Sequence, residues 1–289
     1  MRGLDHIVHC VQDFEGLRLT MAQAGFTLTP PAEHPFGTGN SLVQLDGFFI
    51  EFLHLPNPHL IPPAQDGHFS FARFNQAYME GGREGASMLV FESFDARADQ
   101  QGFADAGLDT YEPFDFSRIA RLPGGEEVTV GFSLAFVTHA DMPRAAFFTC
   151  QQHAPEHFWK PEYQRHANTA VSIGEVALVC EQPLHYAQFL RAVTERDPVQ
   201  EEAHAVRFET PRGWLTAYQP QAFAQAYGHG APSLEDGPVF GGYRIEVQNR
   251  EVALSCLDVA GIGWQPTPSG HAIGPDVAGG AVIAFSEVF

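Results

Sequence analysis

The sequence predicts an α+β fold built from a repeated βαβββ module, and three observations lead to this prediction. A strand-like segment at residues 4–11 precedes a helical pattern that ends near Gly25. The same order returns from residue 86, and the spacing from His6 to Gly25 equals that from Met88 to Gly107. Three segments, at residues 47–52, 213–218 and 280–285, share one pattern of apolar residues, which is interpreted as the last (closing) strand of a module. Repetition on this scale indicates the architecture more strongly than any single strand does.

The first two modules are the clearer ones. After the first helix, residues 41–45 and 48–53 read as two strands joined by a turn at Asp46 and Gly47. In the second module Asp95 opens the helix, and a closing strand is predicted at residues 145–150.

Two fainter copies follow. The third begins with a strand at 173–180 and closes at 213–218; the fourth begins at 243–247 and closes at 280–285. The equal order of the modules predicts two similar domains of two modules each, one at residues 1–155 and a second, diverged one at 170–289. The alternative is an ordinary α+β fold whose strands happen to look alike.

Composition narrows the function classes. The chain has 289 residues, is 44% hydrophobic and carries a formal net charge of -19, which disfavours nucleic acid and anionic membrane surfaces as partners. The four cysteines are scattered, and no apolar run approaches the ~18 residues of a membrane span. These features predict a cytoplasmic protein that acts on a small molecule.

Three segments together resemble a known family. The opening residues 4–8, the segment 34–40 and the strand end at 49–51 are similar, in this order, to the glyoxalase-like domain family. That family belongs to the vicinal oxygen chelate superfamily of glyoxalases, bleomycin-resistance proteins and extradiol dioxygenases. The resemblance implies that the modules pair into cupped mixed sheets. It also implies a divalent metal (Zn, Fe, Mn or Ni) in the cup, held by residues of the first and last strands of each module.

The resemblance also implies site residues. His6 and Glu51 match the metal-ligand positions, and Cys150 is a candidate third ligand. Glu51 and His34 are the candidate catalytic bases, while Asn40 and Gln152 are expected in the substrate pocket. The alternatives are that His6 is a core histidine hydrogen-bonded to Glu51 and that Cys150 is a small buried hydrophobe.

The other modules depart from the ligand pattern. Met88 falls at the position of His6 and Cys150 at that of Glu51. In the second half Glu175 aligns with His6, whereas Ala217 and Ala284 align with Glu51. The second half is therefore expected to hold no metal of the usual kind and to close the pocket or mediate dimerisation instead.

Three functions remain open from the sequence. The leading one is a metal-dependent lyase, isomerase or dioxygenase acting on a small oxygenated substrate; the rivals are a metal-free binding protein of the bleomycin-resistance type and a scaffold with a vestigial cup. A homodimer is left open. Residues 153–157 also match the HxxEH pattern of some zinc peptidases, but Pro155 disfavours an uninterrupted helix there.

Overall fold

The computed structural model describes residues 2–121 and 127–288, and side chains for all of these except 120 and 121. Its first half contains the strands β1 (Leu4–Cys10), β2 (Ala32–Glu33), β3 (Gly39–Gln44), β4 (Phe49–His54), β5 (Gly85–Glu92), β6 (Asp109–Thr110), β7 (Phe114–Arg121), β8 (Glu127–Thr138) and β9 (Ala146–Gln152). The helices of this half are α1 (Phe14–Gln23), α2 (Phe71–Met79), α3 (Ala96–Asp105) and the single turn α4 (Pro155–Phe158).

The second half repeats this order with shorter loops. Its strands are β10 (Ala170–Val179), β11 (Gln200–Glu202), β12 (Ala205–Glu209), β13 (Trp214–Tyr218), β14 (Val239–Val247), β15 (Gln265–Thr267), β16 (Gly270–Ile273) and β17 (Val282–Glu287). Its helices are α5 (Ala187–Thr194), α6 (Pro220–Tyr227) and α7 (Arg250–Ala260), and short 3₁₀ turns lie at Pro58–Leu60, Glu80–Gly82 and Pro183–Tyr186.

Strand pairing is the same in both halves. In the first, β1 pairs in parallel with β4 and antiparallel with β5, and β5 pairs in parallel with β9. In the second, β10 pairs in the same senses with β13 and β14, and β14 with β17. The predicted βαβββ fold class is thereby confirmed. We propose that the two paired-module domains meet between residues 155 and 170, in the segment that connects β9 to β10.

The predicted helix signals at Gly25, Asp95 and Gly107 are confirmed, and the structure adds a cap at Asp13 that the sequence had not predicted. The Asp13 side chain accepts a hydrogen bond from the Gly16 backbone N–H (3.0 Å) and so begins α1. After the helix, Gly25 adopts φ +91°, a left-handed conformation in which glycine carries no steric penalty. Asp95 caps α3 in the same way, and Gly107 follows that helix with φ +74°.

The core lies between the sheet and the helices α1, α3, α5 and α7, whose apolar residues pack on one sheet face. The opposite face forms two cups. The helices α2 and α6, which the sequence reading did not predict, lie over these cups: Phe71 of α2 packs in the first, and Phe223 and Tyr227 of α6 pack in the second. The cup of the second half is therefore largely filled by its own chain.

The observed register corrects two predicted alignments. His6 pairs with Phe49, and Glu51 stands two residues further along β4. In the second module Met88, the counterpart of His6, pairs with Ala146. The residue two positions further along β9 is Phe148, so Phe148 and not Cys150 is the counterpart of Glu51, and the predicted alignment of Cys150 was wrong.

In the third module Glu175 pairs with Trp214, so the counterpart of Glu51 is Thr216 and not Ala217. A shift of this size matters because adjacent strand residues face opposite sides of the sheet.

The two halves contact each other closely along β1, β5 and β14. Ala86 pairs with Phe240, which joins the strands into one 17-stranded sheet. The buried His9 ring contacts the Tyr243 hydroxyl (3.1 Å) and the Gly279 carbonyl (2.6 Å). Of the helices in the described ranges, none has the length and apolar character to cross a membrane.

Candidate active site in the first cup

The first cup encloses a narrow cavity of about 50 Å³ with a few polar groups in an aromatic wall. The polar groups are His6, His34, Asn40, Glu51 and Arg118. The wall consists of Phe36, Leu42, Phe49, Phe71, Phe116, Phe132, Leu134, Phe148, Cys150 and Phe158. Such a mixture of apolar surface and few convergent polar groups is typical of small-molecule sites.

His6 projects into the cup from β1 and is held in a defined orientation. Its Nδ1 lies 2.5 Å from Asp5 Oδ1, and its ring stacks on Phe49 with 4.2 Å between centroids. The pairing of β1 with β5 is irregular between Leu4 and His6, where Asp5 lies. With Nδ1 hydrogen-bonded to the carboxylate, Nε2 is left facing Glu51 Oε2 at 3.9 Å.

His34 approaches the same carboxylate from the loop before β3. Its Nδ1 is 2.7 Å from Thr38 Oγ1, and its Nε2 lies 3.9 Å from Glu51 Oε1. Asn40 donates a hydrogen bond to Glu51 Oε1 (2.6 Å) and lies 3.4 Å from His34 Nε2. Burial lowers the pKa of His34, so its ring is neutral near pH 7.

Arg118 of β7 supplies positive charge at the mouth of the cup. Burial lowers the pKa of its guanidinium, while the Glu51 charge opposes that shift. Together with Asn40, Leu42 and Phe158, Arg118 also lines an outer cleft of about 580 Å³. The cup therefore opens to solvent past Arg118, which the sequence reading had not singled out.

One expected site residue lies outside the cup, and another carries a thiol with a raised pKa. Gln152, expected in the substrate pocket, lies in a cleft behind the cup and donates a hydrogen bond to Asp5 Oδ2 (3.1 Å). Cys150 lines the cup, but burial raises the pKa of its thiol well above the usual value. A bound cation would itself deprotonate a coordinating thiol, so Cys150 stays a candidate third ligand.

The cup holds donor atoms of the types that bind a divalent ion, but those of His6, His34 and Glu51 do not all lie within 4.8 Å of one another; among the described residues, His139, Asp141 and His185 meet that distance. His6 and His34 both have Nδ1 hydrogen-bonded and Nε2 directed towards Glu51, which is the arrangement of histidines that bind metals. The distances from His6 Nε2 and from His34 Nε2 to the nearer Glu51 oxygen are both 3.9 Å. Two ligand atoms that each lie ~2.1 Å from a tetrahedral metal ion are ~3.4 Å apart. Two imidazoles and one carboxylate with open positions suit iron, zinc or manganese.

Two other histidine clusters lie outside the cup. His153, of the HxxEH pattern, precedes α4 and contacts Ser133 Oγ (2.8 Å), so it does not share a helix with His157 and the zinc-peptidase geometry is not formed. His139, Asp141 and His185 bring their donor atoms within 4.8 Å of one another on the surface. The Asp141 backbone N–H donates a hydrogen bond to His139 Nδ1 (3.2 Å).

Comparison with known proteins agrees with this geometry. Residues 4–194 match the family described as a glyoxalase-like domain. No curated protein matches the sequence significantly.

Solved structures share the fold at low sequence identity. A hypothetical protein from Staphylococcus aureus is similar over 100% of both chains, with a TM-score of 0.70 and 14% identity. A mutant 4-hydroxymandelate synthase from Streptomyces coelicolor aligns with 92% of this chain and 77% of its own (TM-score 0.58, 12% identity). A xylose isomerase-like TIM barrel/4-hydroxyphenylpyruvate dioxygenase fusion protein aligns with 91% of this chain and 39% of its own (TM-score 0.54, 14% identity). The chain belongs to the glyoxalase-like domain family and has the fold of the vicinal oxygen chelate superfamily.

Proposed function

We propose that the first cup binds a divalent metal through His6, His34 and Glu51, and that the protein is a metal-dependent lyase, isomerase or dioxygenase. The observation that carries the proposal is the convergence of two anchored imidazoles on one buried carboxylate. A carboxylate in an aromatic cavity needs a nearby positive charge, and a cation bound between these groups would supply it.

The bound ion would supply Lewis-acid polarisation of two vicinal substrate oxygens. The residues of the chain would do the rest. Asp5 fixes the tautomer and orientation of His6. Asn40 orients the Glu51 carboxylate, and the surrounding phenylalanines exclude water, which strengthens every charge interaction in the cup. Glu51 is the proposed proton acceptor, because the lowered pKa of His34 suits a ligand better than a base.

The substrate is proposed to be a small oxygenated molecule with an anionic group. The cavity of about 50 Å³ holds an ion and a few waters, so the rest of a substrate would extend into the outer cleft. The Arg118 guanidinium lies between these two spaces and would pair with a carboxylate or with a developing enolate. Two of the structural neighbours carry the names of a synthase and a dioxygenase, which keeps dioxygenase among the proposed reaction classes.

A metal-free binding protein is the second candidate. Met88 and Phe148 take the positions of His6 and Glu51 in the second module, so all three proposed ligands come from the first module. In this reading Asn40 and His6 alone would stabilise Glu51, and the aromatic cup would hold an uncharged ring. A cytoplasmic location and a homodimer remain predictions of the sequence.

Metal analysis separates the two candidates. The protein is purified without chelator, and bound metal is measured for the unmodified chain and for His6→Ala, His34→Ala and Glu51→Gln. His59→Ala is the matched control because His59 is exposed and lies outside the cup. We expect about one ion per chain in the unmodified protein and the control, and a loss of at least tenfold in affinity in the three variants (roughly 1.4 kcal/mol or more). Absence of metal from the unmodified protein after incubation with Zn²⁺, Fe²⁺, Mn²⁺ and Ni²⁺ would establish the binding-protein reading instead.

A further inference from the structure

The cup of the second half contains a buried carboxylate that is fully satisfied by its neighbours. Glu175 is 1% exposed and accepts hydrogen bonds from Thr216 Oγ1 (2.6 Å), Tyr218 Oη (3.0 Å), Tyr227 Oη (3.1 Å) and Arg244 Nη1 (3.1 Å). Its charge is therefore already balanced by Arg244. No donor atom is left over here for a metal, in contrast to the first cup.

A second arginine at this place has no comparable partner. Within the described part of the chain, Arg207 donates no hydrogen bond; its Nε is 3.9 Å from Glu175 Oε1, and its guanidinium lies 4.0 Å from the centre of the Trp214 ring. Stacking on the indole holds the guanidinium plane in position. Its side chain is 35% exposed, although the Nε atom itself is buried and has no hydrogen-bond partner among the described residues.

These residues line an open cleft of about 380 Å³ beside α6. Arg207 and Arg244 line the cleft together with the carboxylate of Glu175, and the charge of Glu246, two residues further along β14, also acts on Arg244. Neutral hydrogen-bonding groups of Gln200, Gln225 and Ser269 lie around it, and Ala205, Ala222 and Pro268 add apolar surface.

We propose that this cleft is a second ligand site, which binds a small organic carboxylate through Arg207. A planar guanidinium with free donors matches a carboxylate in a bidentate pair. The buried Glu175 carboxylate, 3.9 Å from Arg207 Nε, disfavours a phosphate dianion more strongly than a carboxylate monoanion. The site does not depend on the metal chemistry proposed for the first cup, because none of its residues line that cup.

The test is a calorimetric titration of the intact protein with benzoate and pyruvate, and with benzamide and inorganic phosphate as contrasts. We expect both carboxylates to bind, and benzamide and phosphate to bind at least about tenfold more weakly. Arg207→Gln is expected to weaken carboxylate binding about 10- to 100-fold, and Arg207→Lys less, because lysine keeps the charge without the fork.

Two control variants locate the site. Arg191→Gln removes a half-exposed arginine that pairs with Asp197 outside the cleft and should leave the titration unchanged. Arg118→Gln removes the arginine of the first cup, so carboxylate binding that is lost in this variant and kept in Arg207→Gln would assign the anion to the first cup. Three results would each overturn the proposal. The first is equal carboxylate affinity of Arg207→Gln and the unmodified protein, and the second is tighter binding of phosphate than of carboxylates. The third is no carboxylate binding at 10 mM, which corresponds to roughly 2.7 kcal/mol of binding free energy. Thermal melting of every variant shows whether a lost signal comes from a lost fold.

Discussion

The contact between the two halves at His9 makes a quantitative prediction about acid stability. His9 lies on β1, is completely buried, and contacts the Tyr243 hydroxyl and the Gly279 carbonyl across the boundary between the halves. Burial lowers its pKa from 6.5 to about 4, partly opposed by the hydrogen bond to Gly279. In the unfolded chain the same ring has its ordinary pKa.

The sign of the effect follows from proton binding. Between pH 6.5 and 4 the unfolded chain binds a proton at His9 and the folded chain does not, so acidification favours unfolding. The contribution of His9 to stability is fully present above pH 6.5 and decreases as the pH falls towards 4. The difference between the folded and unfolded pKa values of His9 corresponds to a change of about 3 kcal/mol in the free energy of unfolding. Between pH 6.5 and 4 this free energy changes by up to ~1.4 kcal/mol per pH unit.

Urea unfolding at a series of pH values from 7.5 to 4 measures this slope. The variant His9→Gln keeps a side-chain donor for Gly279 but does not titrate, so its free energy of unfolding should fall with acid less steeply than that of the unmodified protein. The difference between the two curves should shrink by about 3 kcal/mol across the window. His204→Gln, at a half-exposed histidine, should run parallel to the unmodified protein. If the His9→Gln curve is also parallel, the buried ring is not the acid-sensitive group and the reasoning fails.

Three further predictions concern the first cup and the core. Asp5→Asn should weaken metal binding about 10- to 100-fold, because His6 loses the hydrogen bond that fixes its orientation. Chelator competition measures the affinity, and the circular dichroism spectrum should be unchanged. Equal metal affinity of this variant and the unmodified protein would show that Asp5 does not support the site. Arg118→Gln should raise KM for anionic substrates tenfold or more (~1.4 kcal/mol) while leaving metal content unchanged, and a loss of metal instead would make Arg118 part of the ion site. Phe147→Ala, in the core between the halves, should lower the free energy of unfolding by about 3–5 kcal/mol, and unfolding should stay one cooperative transition. The control Leu19→Ala, at a side chain that is 64% exposed, should lower it by under ~0.5 kcal/mol. Two separate transitions would show that the halves unfold independently.

The sequence predicted the repeated modules because their signals are local. The helix cap Asp95 and the glycines Gly25 and Gly107 act within a few residues, and each does what its side chain dictates. The resemblance to the glyoxalase-like domain family brought His6, Glu51, His34 and Asn40 together as site residues, and strand alternation assigned His6 and Glu51 each to one face of its strand.

What the sequence did not predict depends on distant parts of the chain. The register of a closing strand is set by the loops and by pairing, so counting along the chain put Cys150 where Phe148 lies. The cover helices α2 and α6 have only weak local signals, such as the Ser70 cap and Pro220 in the first turn, and no element was predicted from the sequence in these segments. Arg118 reaches the cup only because β7 folds over it after a long hairpin.

The two cups solve the problem of a buried carboxylate in opposite ways, and the contrast bears on function. An unpaired carboxylate in an apolar cavity costs several kcal/mol, so each cup must offset that cost. Glu175 is stabilised by Arg244 and three hydroxyl groups of its own half. Glu51, among the described residues, receives one hydrogen bond, from Asn40, and has two imidazole nitrogens and a guanidinium nearby without a direct bond. The first cup thus keeps its carboxylate available, which a structural role does not require and which binding of a cation explains.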